Sequence, residues 1–220
     1  MATRSQPPEP RRPAPRLYLV APPTADPAQL ADGIAAALGA ADVAAVLVPL
    51  TGDDERALLN GVKALAPAVQ GAGAALLLDG RPDLVARAGA DGAHLTGIDQ
   101  FNAALASLKP DRIAGCGALA TRHDAMNAAE AGADYVMFGE PDESGHRPSF
   151  EALLERVEWW AEVFEIPCVG HAASLEEIAP LSAAGADFVA VGNFIFDDTR
   201  GLAAAMKDAM HRLVVPEAVE

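Results

Sequence analysis

No stretch of the 220-residue chain holds the ~18 consecutive apolar residues that a membrane-spanning helix needs, and the N-terminus lacks an apolar signal core. A soluble, cytoplasmic protein is the expectation. Cysteine is nearly absent. Cys116 and Cys168 each sit in an apolar run (RIAGCGAL, EIPCVGHA) and read as buried thiols of a reducing compartment, with a redox pair or a nucleophile as the alternative. Lysine is scarce too: Lys63, Lys109 and Lys207 fall on helical patterns or just before a strand, which excludes Schiff-base chemistry at a strand end. There is no HExxH, CxxC or paired-His spacing for zinc. The first turn, VAPPTADP, lacks the GxGxxG of a dinucleotide fold.

Positive charge is also in short supply. The net charge is −15. Residues 1–16 hold Arg4, Arg11, Arg12 and Arg16 against Glu9 alone, so this segment is +3 and the remainder −18. So acidic a domain repels nucleic acid and anionic membrane. Five prolines in the last ten residues of MATRSQPPEPRRPAPR rule out an amphipathic helix and predict a disordered Pro/Arg-rich tail. Residues 17–214 then form a single domain, for which 51% hydrophobic content supplies one core.

What the chain has is repetition. AGADGAHL (88–95), AGADYVMF (131–138) and AGADFVAV (184–191) are near-copies, and GAADVAAVLV (39–48) is a fainter one. Each places Gly where an Ala-rich helical pattern stops, as a left-handed C-cap requires, and then enters an apolar run of parallel-strand length. Extending this corner predicts strands near 17–21, 43–49, 73–78, 92–95, 112–116, 134–139, 167–170 and 187–192. Helices are expected at 27–39, 53–69, 81–88, 99–107, 121–131, 149–164, 174–184 and 199–213. Eight βα units in strict alternation mean a (β/α)8 TIM barrel, with an open doubly wound sheet as the competing architecture.

Chemistry in such a barrel sits at the C-terminal strand ends. That rule selects Asp79, Arg81, His94, Thr96, Asp99, Cys116, Arg122, His123, Glu140, Asp142, His146, Arg147, His171, Asn193, Asp197, Asp198 and Arg200. Among them, His171 and Glu140 are the candidate catalytic pair, with a structural hydrogen bond as the other reading of His171. His94 either contacts a ligand or packs near its strand end. Asp79 and Asp99 could share a metal, or cap helices and face solvent. Arg81 could contact an anion or pair with Asp79 or Asp83. Glu140 and Asp142 are a possible general-base pair or a solvated loop. Trp159 and Trp160 fit helix packing or a subunit interface, so a homo-oligomer is possible.

RLYLV, LLLDGRPDLVARAGADGAHLTGID, AGADYVMFG, IPCVG and AGADFVAVGNFIF, in that order from Arg16 to Arg212, resemble thiamine phosphate synthase and the related thiazole tautomerases. DGRPDLVARAGADGAHLTG follows the family's NDRxDLAxxxGADGVHLGQ closely. The resemblance implies a barrel that joins a hydroxymethylpyrimidine diphosphate to a thiazole phosphate, releasing pyrophosphate with Mg2+. It also implies a small-molecule ligand at the C-terminal face, contacted by Arg81, His94, Thr96, Cys116 and Asn193, with Asp79 and Asp99 on the metal.

Several family positions are altered. The Q-x-R-x-K of the second strand aligns with Val46, Val48 and Leu50 in VAAVLVPL, which offers no polar side chain. The family's Asn-Asp-Arg aligns with Asp79, Gly80 and Arg81, and its metal-binding Asp with Asp99. The Ser after the fifth strand aligns with Gly117, and the tautomerase His falls near Leu119 or Ala120. The Thr-x-Thr-Lys loop becomes Glu140-Pro141-Asp142-Glu143-Ser144-Gly145. The phosphate-binding Gly-Gly becomes His171-Ala172, and a Ser near the eighth strand becomes Asn193. Losing several charged contacts to phosphate, at ~1.5–3 kcal/mol each, predicts altered or lost synthase activity. It also predicts that Val46 and Val48 line an aliphatic wall of the site.

Overall fold

The computed structural model describes residues 13–142 and 144–213. Residues 1–12 of the expected tail and Glu143 of the acidic loop lie outside the described residues. Eight parallel strands close in sequence order into a ring: β1 (Arg16–Val20), β2 (Val43–Pro49), β3 (Ala75–Asp79), β4 (Gly92–Thr96), β5 (Ile113–Gly117), β6 (Tyr135–Phe138), β7 (Cys168–His171) and β8 (Phe188–Val191). Between them run α1 (Ala31–Ala40), α2 (Glu55–Gln70), α3 (Pro82–Ala88), α4 (Ile98–Leu108), α5 (Arg122–Ala131), α6 (Phe150–Val163) and α7 (Leu175–Ala183). A one-turn α8 (Asn193–Phe196) precedes α9 (Leu202–Arg212). The chain is a (β/α)8 TIM barrel. The helix expected at 199–213 is α9, capped at its start by Gly201 (φ 94°), and the one-turn α8 is additional to it. No helix among the described residues is long and apolar enough to cross a membrane.

The repeated AGAD corner is a two-way clamp at the start of each strand. The Asp91, Asp134 and Asp187 amides donate to the carbonyls of Leu76, Ala114 and Cys168 on the preceding strands. Their carboxylates accept the amides of the same three residues at 2.7, 2.7 and 2.8 Å. Each carboxylate satisfies a strand-end N–H that the ladder leaves unpaired, a charge-assisted bond worth about 1.5–3 kcal/mol. Gly89 (φ 75°) and Gly132 (φ 103°) form the expected left-handed caps, and Gly185 (φ 95°) sits one residue past its cap. The faint repeat differs: Gly39 lies inside α1, which ends at the extended Ala41.

Strand alternation divides the core in two. Leu17, Leu19, Val46, Val48, Leu76 and Leu78 face the helices. Tyr18, Ala45, Leu47, Leu77, Tyr135, Met137, Val169 and Ala190 fill the barrel. The expected aliphatic wall of Val46 and Val48 is therefore corrected: both lie beneath the helices, and Leu50 packs against that same outer layer beyond the end of β2. A register shift between Leu17 and Tyr18 pairs Tyr18 with Ala45, and β2 then pairs Leu47 with Leu77 and Pro49 with Asp79. One residue of slip moves every side chain to the other face. The inward set, Ala45, Leu47 and Pro49, is nonetheless just as apolar.

Above Ile113 the inner face of β5 is stripped of side chains. A Cβ on Gly115 would overlap the Tyr135 ring, and one on Gly117 would overlap the Glu140 carboxylate and lie 2.5 Å from the His94 ring. Gly115→Ala should therefore destabilise the fold by about 1–3 kcal/mol in urea unfolding. Gly39→Ala, with nothing within 4 Å of the added carbon, should stabilise it by up to ~1 kcal/mol. Equal midpoints for the two variants would contradict this packing.

Candidate active site at the barrel mouth

A chain of buried polar groups climbs the inside of the barrel. The Tyr18 and Tyr135 hydroxyls bond at 2.9 Å, Tyr135 Oη meets His94 Nδ1 at 2.9 Å, and His94 Nε2 meets Glu140 Oε1 at 2.8 Å. The Ala118 amide donates to the other Glu140 oxygen at 2.8 Å. The His94 ring stacks on Tyr135 at 5.7 Å and is 1% exposed. Alternation places these side chains. His94 is the second inward residue of β4 after Gly92, Tyr135 opens β6, and Gly139 (φ 88°) turns the chain so that Glu140 points back over Gly117.

Burial alone would discharge His94. The Glu140 carboxylate, its hydrogen bond and the nearby Asp79 outweigh that and hold the imidazole above its ordinary value. Burial likewise pushes Glu140 up, but His94, the Ala118 amide and His171 hold it below the usual carboxylate range. Both shifts favour a buried imidazolium–carboxylate pair. Burial drives both tyrosines to high pKa, so they stay protonated.

Asp79, Glu140, His171 and Asn193 meet around a cavity of about 400 Å3 whose remaining walls include Leu47, Pro49, Met137 and Phe194. Asp79 is raised, mainly by burial, with His94 opposing and Glu140 adding to the shift. His171 is lowered by burial against the pull of Glu140, which leaves a neutral ring whose Nδ1 has no hydrogen-bond partner. Arg147 lines the same cavity, but Glu177 of α7 takes its guanidinium at 2.9 Å and the His171 carbonyl accepts a second bond at 3.1 Å. Glu177 also accepts the Ala173 amide at 2.8 Å.

The other expected residues separate from this group. His94 lies beneath Glu140, so it acts on the mouth through that carboxylate. Thr96 and Asp99 line a neighbouring cavity of about 350 Å3 with Ala118, Leu119 and Asp124. Asp79 and Asp99 thus face different cavities, and among the described residues no cluster of three His, Cys, Asp or Glu side chains is placed to hold a metal. Asp99 is in the first turn of α4, whose cap position is Gly97, so it makes no capping bond. Arg81 is held by Asp83 at 2.9 Å. Cys116 is corrected from a ligand contact to a core residue: it points at the helices, fully buried, with burial pushing its thiol up to about 12.

Asp142 is no partner of Glu140 but closes its own loop, accepting from the Ser144 and His146 amides at 2.9 Å each. Arg122 stacks over Trp159, and Arg200 pairs with Asp198 and Asp208. Sequence reasoning missed Tyr18, Tyr135 and Glu177. Strand parity could have found the tyrosines, since Tyr135 and His94 stand at inward positions. Glu177 carries no comparable signal.

The pair fixes a pH signature. Glu140, lowered, contributes stability in full above about 4.5 and loses it as pH falls through its folded value; His94, raised, contributes in full below about 6.5 and loses it as pH rises through its folded value. Stability should therefore plateau between these limits. Glu140→Gln should lower it by about 3 kcal/mol at pH 6 and remove most of the alkaline decline. Parallel wild-type and variant profiles from urea unfolding would show the pair to be uncharged.

Residues 17–195 match the family model described as thiamine monophosphate synthase. The thiamine-phosphate synthase of Rhodospirillum centenum is 42% identical over 88% of this chain and 95% of its own. That of Hyphomonas neptunium is 36% identical over 89% and 92%. The solved thiamine phosphate pyrophosphorylase of Pyrococcus furiosus superimposes with a TM-score of 0.75 over 90% of this chain and 95% of its own, at 20% identity, a likeness of fold. The chain belongs to the thiamine monophosphate synthase family.

Proposed function

We propose that this chain is a barrel of thiamine metabolism in which the ordinary synthase reaction is altered or lost, and that its mouth takes a ligand with less phosphate than the synthase substrates. The observation that carries this reading is the absence of an uncommitted cation around the main cavity, among the described residues. The inward face of β2 is Ala45, Leu47 and Pro49. Arg147 is neutralised by Glu177, and the charge of His94 by Glu140. The remaining nearby cation, Arg156, lines a side cavity and donates to the Leu119 and Ala120 carbonyls.

A diphosphate entering such a cavity would leave water for apolar walls and few donors, an unfavourable exchange. A neutral or singly charged heteroaromatic fits Leu47, Pro49, Met137 and Phe194 better. His171 lines the same cavity with a neutral imidazole whose buried Nδ1 has no hydrogen-bond partner. A non-catalytic binding barrel of the same ancestry is the second reading. It is favoured by Glu140, whose two oxygens are both engaged and offer no open base.

Two outcomes follow. The pure protein with Mg2+ and both phosphorylated precursors should form no detectable thiamine phosphate by chromatography; turnover within tenfold of a typical ~10 s⁻¹ would overturn the proposal. Pyrophosphate at millimolar concentration, with or without Mg2+, should leave the melting temperature unchanged. Micromolar binding of Mg2+ with pyrophosphate in calorimetry would reveal a working anion site, with Arg147 and Arg156 the first to substitute.

A further inference from the structure

The barrel has a second hollow at its opposite end. Ala44, Ala45, Ala75, Ile113, Asp134, Pro167 and Phe188, all at or beside strand N-termini, surround a cavity of about 260 Å3 with the rings of Tyr18 and Tyr135 above it. TIM barrels ordinarily fill this region with layers of bulky side chains. Here the register sets Ala45 of β2 beside Ala75 of β3, so two adjacent strands contribute only methyl groups. The tyrosine hydroxyls are turned up into the bond with each other and with His94, which leaves largely apolar ring surface facing the hollow.

We propose that this lower cavity is a binding site for a small uncharged aromatic molecule. A dry apolar cavity of roughly 150 Å3 suffices for benzene, so this one accommodates a bicyclic ring. Tyr18, Tyr135 and Phe188 supply aromatic walls for edge or offset stacking. Asp134 at the rim is already bonded to the Ala114 amide and paired with Lys109, so it offers a ligand no free charge. The site stands apart from the mouth, where Leu47 and Met137 are the apolar walls, and does not depend on the function proposed there.

The test is methyl NMR of the full chain during titration with indole. Saturable shifts should map to Ala45, Ala75, Leu77 and Ile113. Ala75→Leu, which fills the hollow, should weaken binding about tenfold or more. If that variant does not fold, Ala45→Val serves in its place. No saturable shift up to the solubility of indole would overturn the proposal. So would shifts centred on Leu47, Met137 and Phe194, or binding undiminished in a folded cavity-filling variant.

Discussion

The contact between His94 and Glu140 governs the upper half of this barrel. An imidazole that is 1% exposed could not keep its proton alone, and a carboxylate so placed could not keep its charge alone. Each makes the other tenable at 2.8 Å. The arrangement needs space, and Gly117 supplies it, since any side chain there would collide with both partners. It needs a second anchor on each side, which the Tyr135 hydroxyl and the Ala118 amide provide. Removing one partner of such a pair is far more damaging than replacing both.

The same pair shapes what the mouth can hold. Carboxylates engage the cations at and near the mouth. Glu140 holds His94, Glu177 holds Arg147 and Asp83 holds Arg81. Burial also shifts Asp79 towards its neutral form, and the remaining walls of the cavity are largely apolar. On the proposed reading, a phosphorylated substrate competes with an existing ion pair for Arg147.

Much of the fold was legible because its signals are local. Gly89 and Gly132 stop helices, Asp91 and Asp134 latch the strands that follow, and both act within one corner. The family likewise followed from a contiguous motif around β3 and β4. The site was legible only in part. Asp79, Glu140, His171 and Asn193 share one cavity because each ends a strand or follows one, which the sequence does show. The β2 wall was misplaced by one residue because strand parity depends on a register shift beside Leu17, which involves a partner strand. Cys116 failed for a related reason: nearness to a strand end does not reveal which face a residue takes. The pairing of Arg147 with Glu177 bridges two βα units 30 residues apart, and no periodicity reports it.

The most direct test is the protonation state of His94, read from its ring nitrogen shifts by 15N NMR at pH 7. An imidazolium with both nitrogens protonated in the wild type, and a neutral ring in Glu140→Gln, is the expected result. A neutral ring in the wild type that titrates like an exposed histidine would contradict it, and with it the view that the mouth is organised around a buried ion pair.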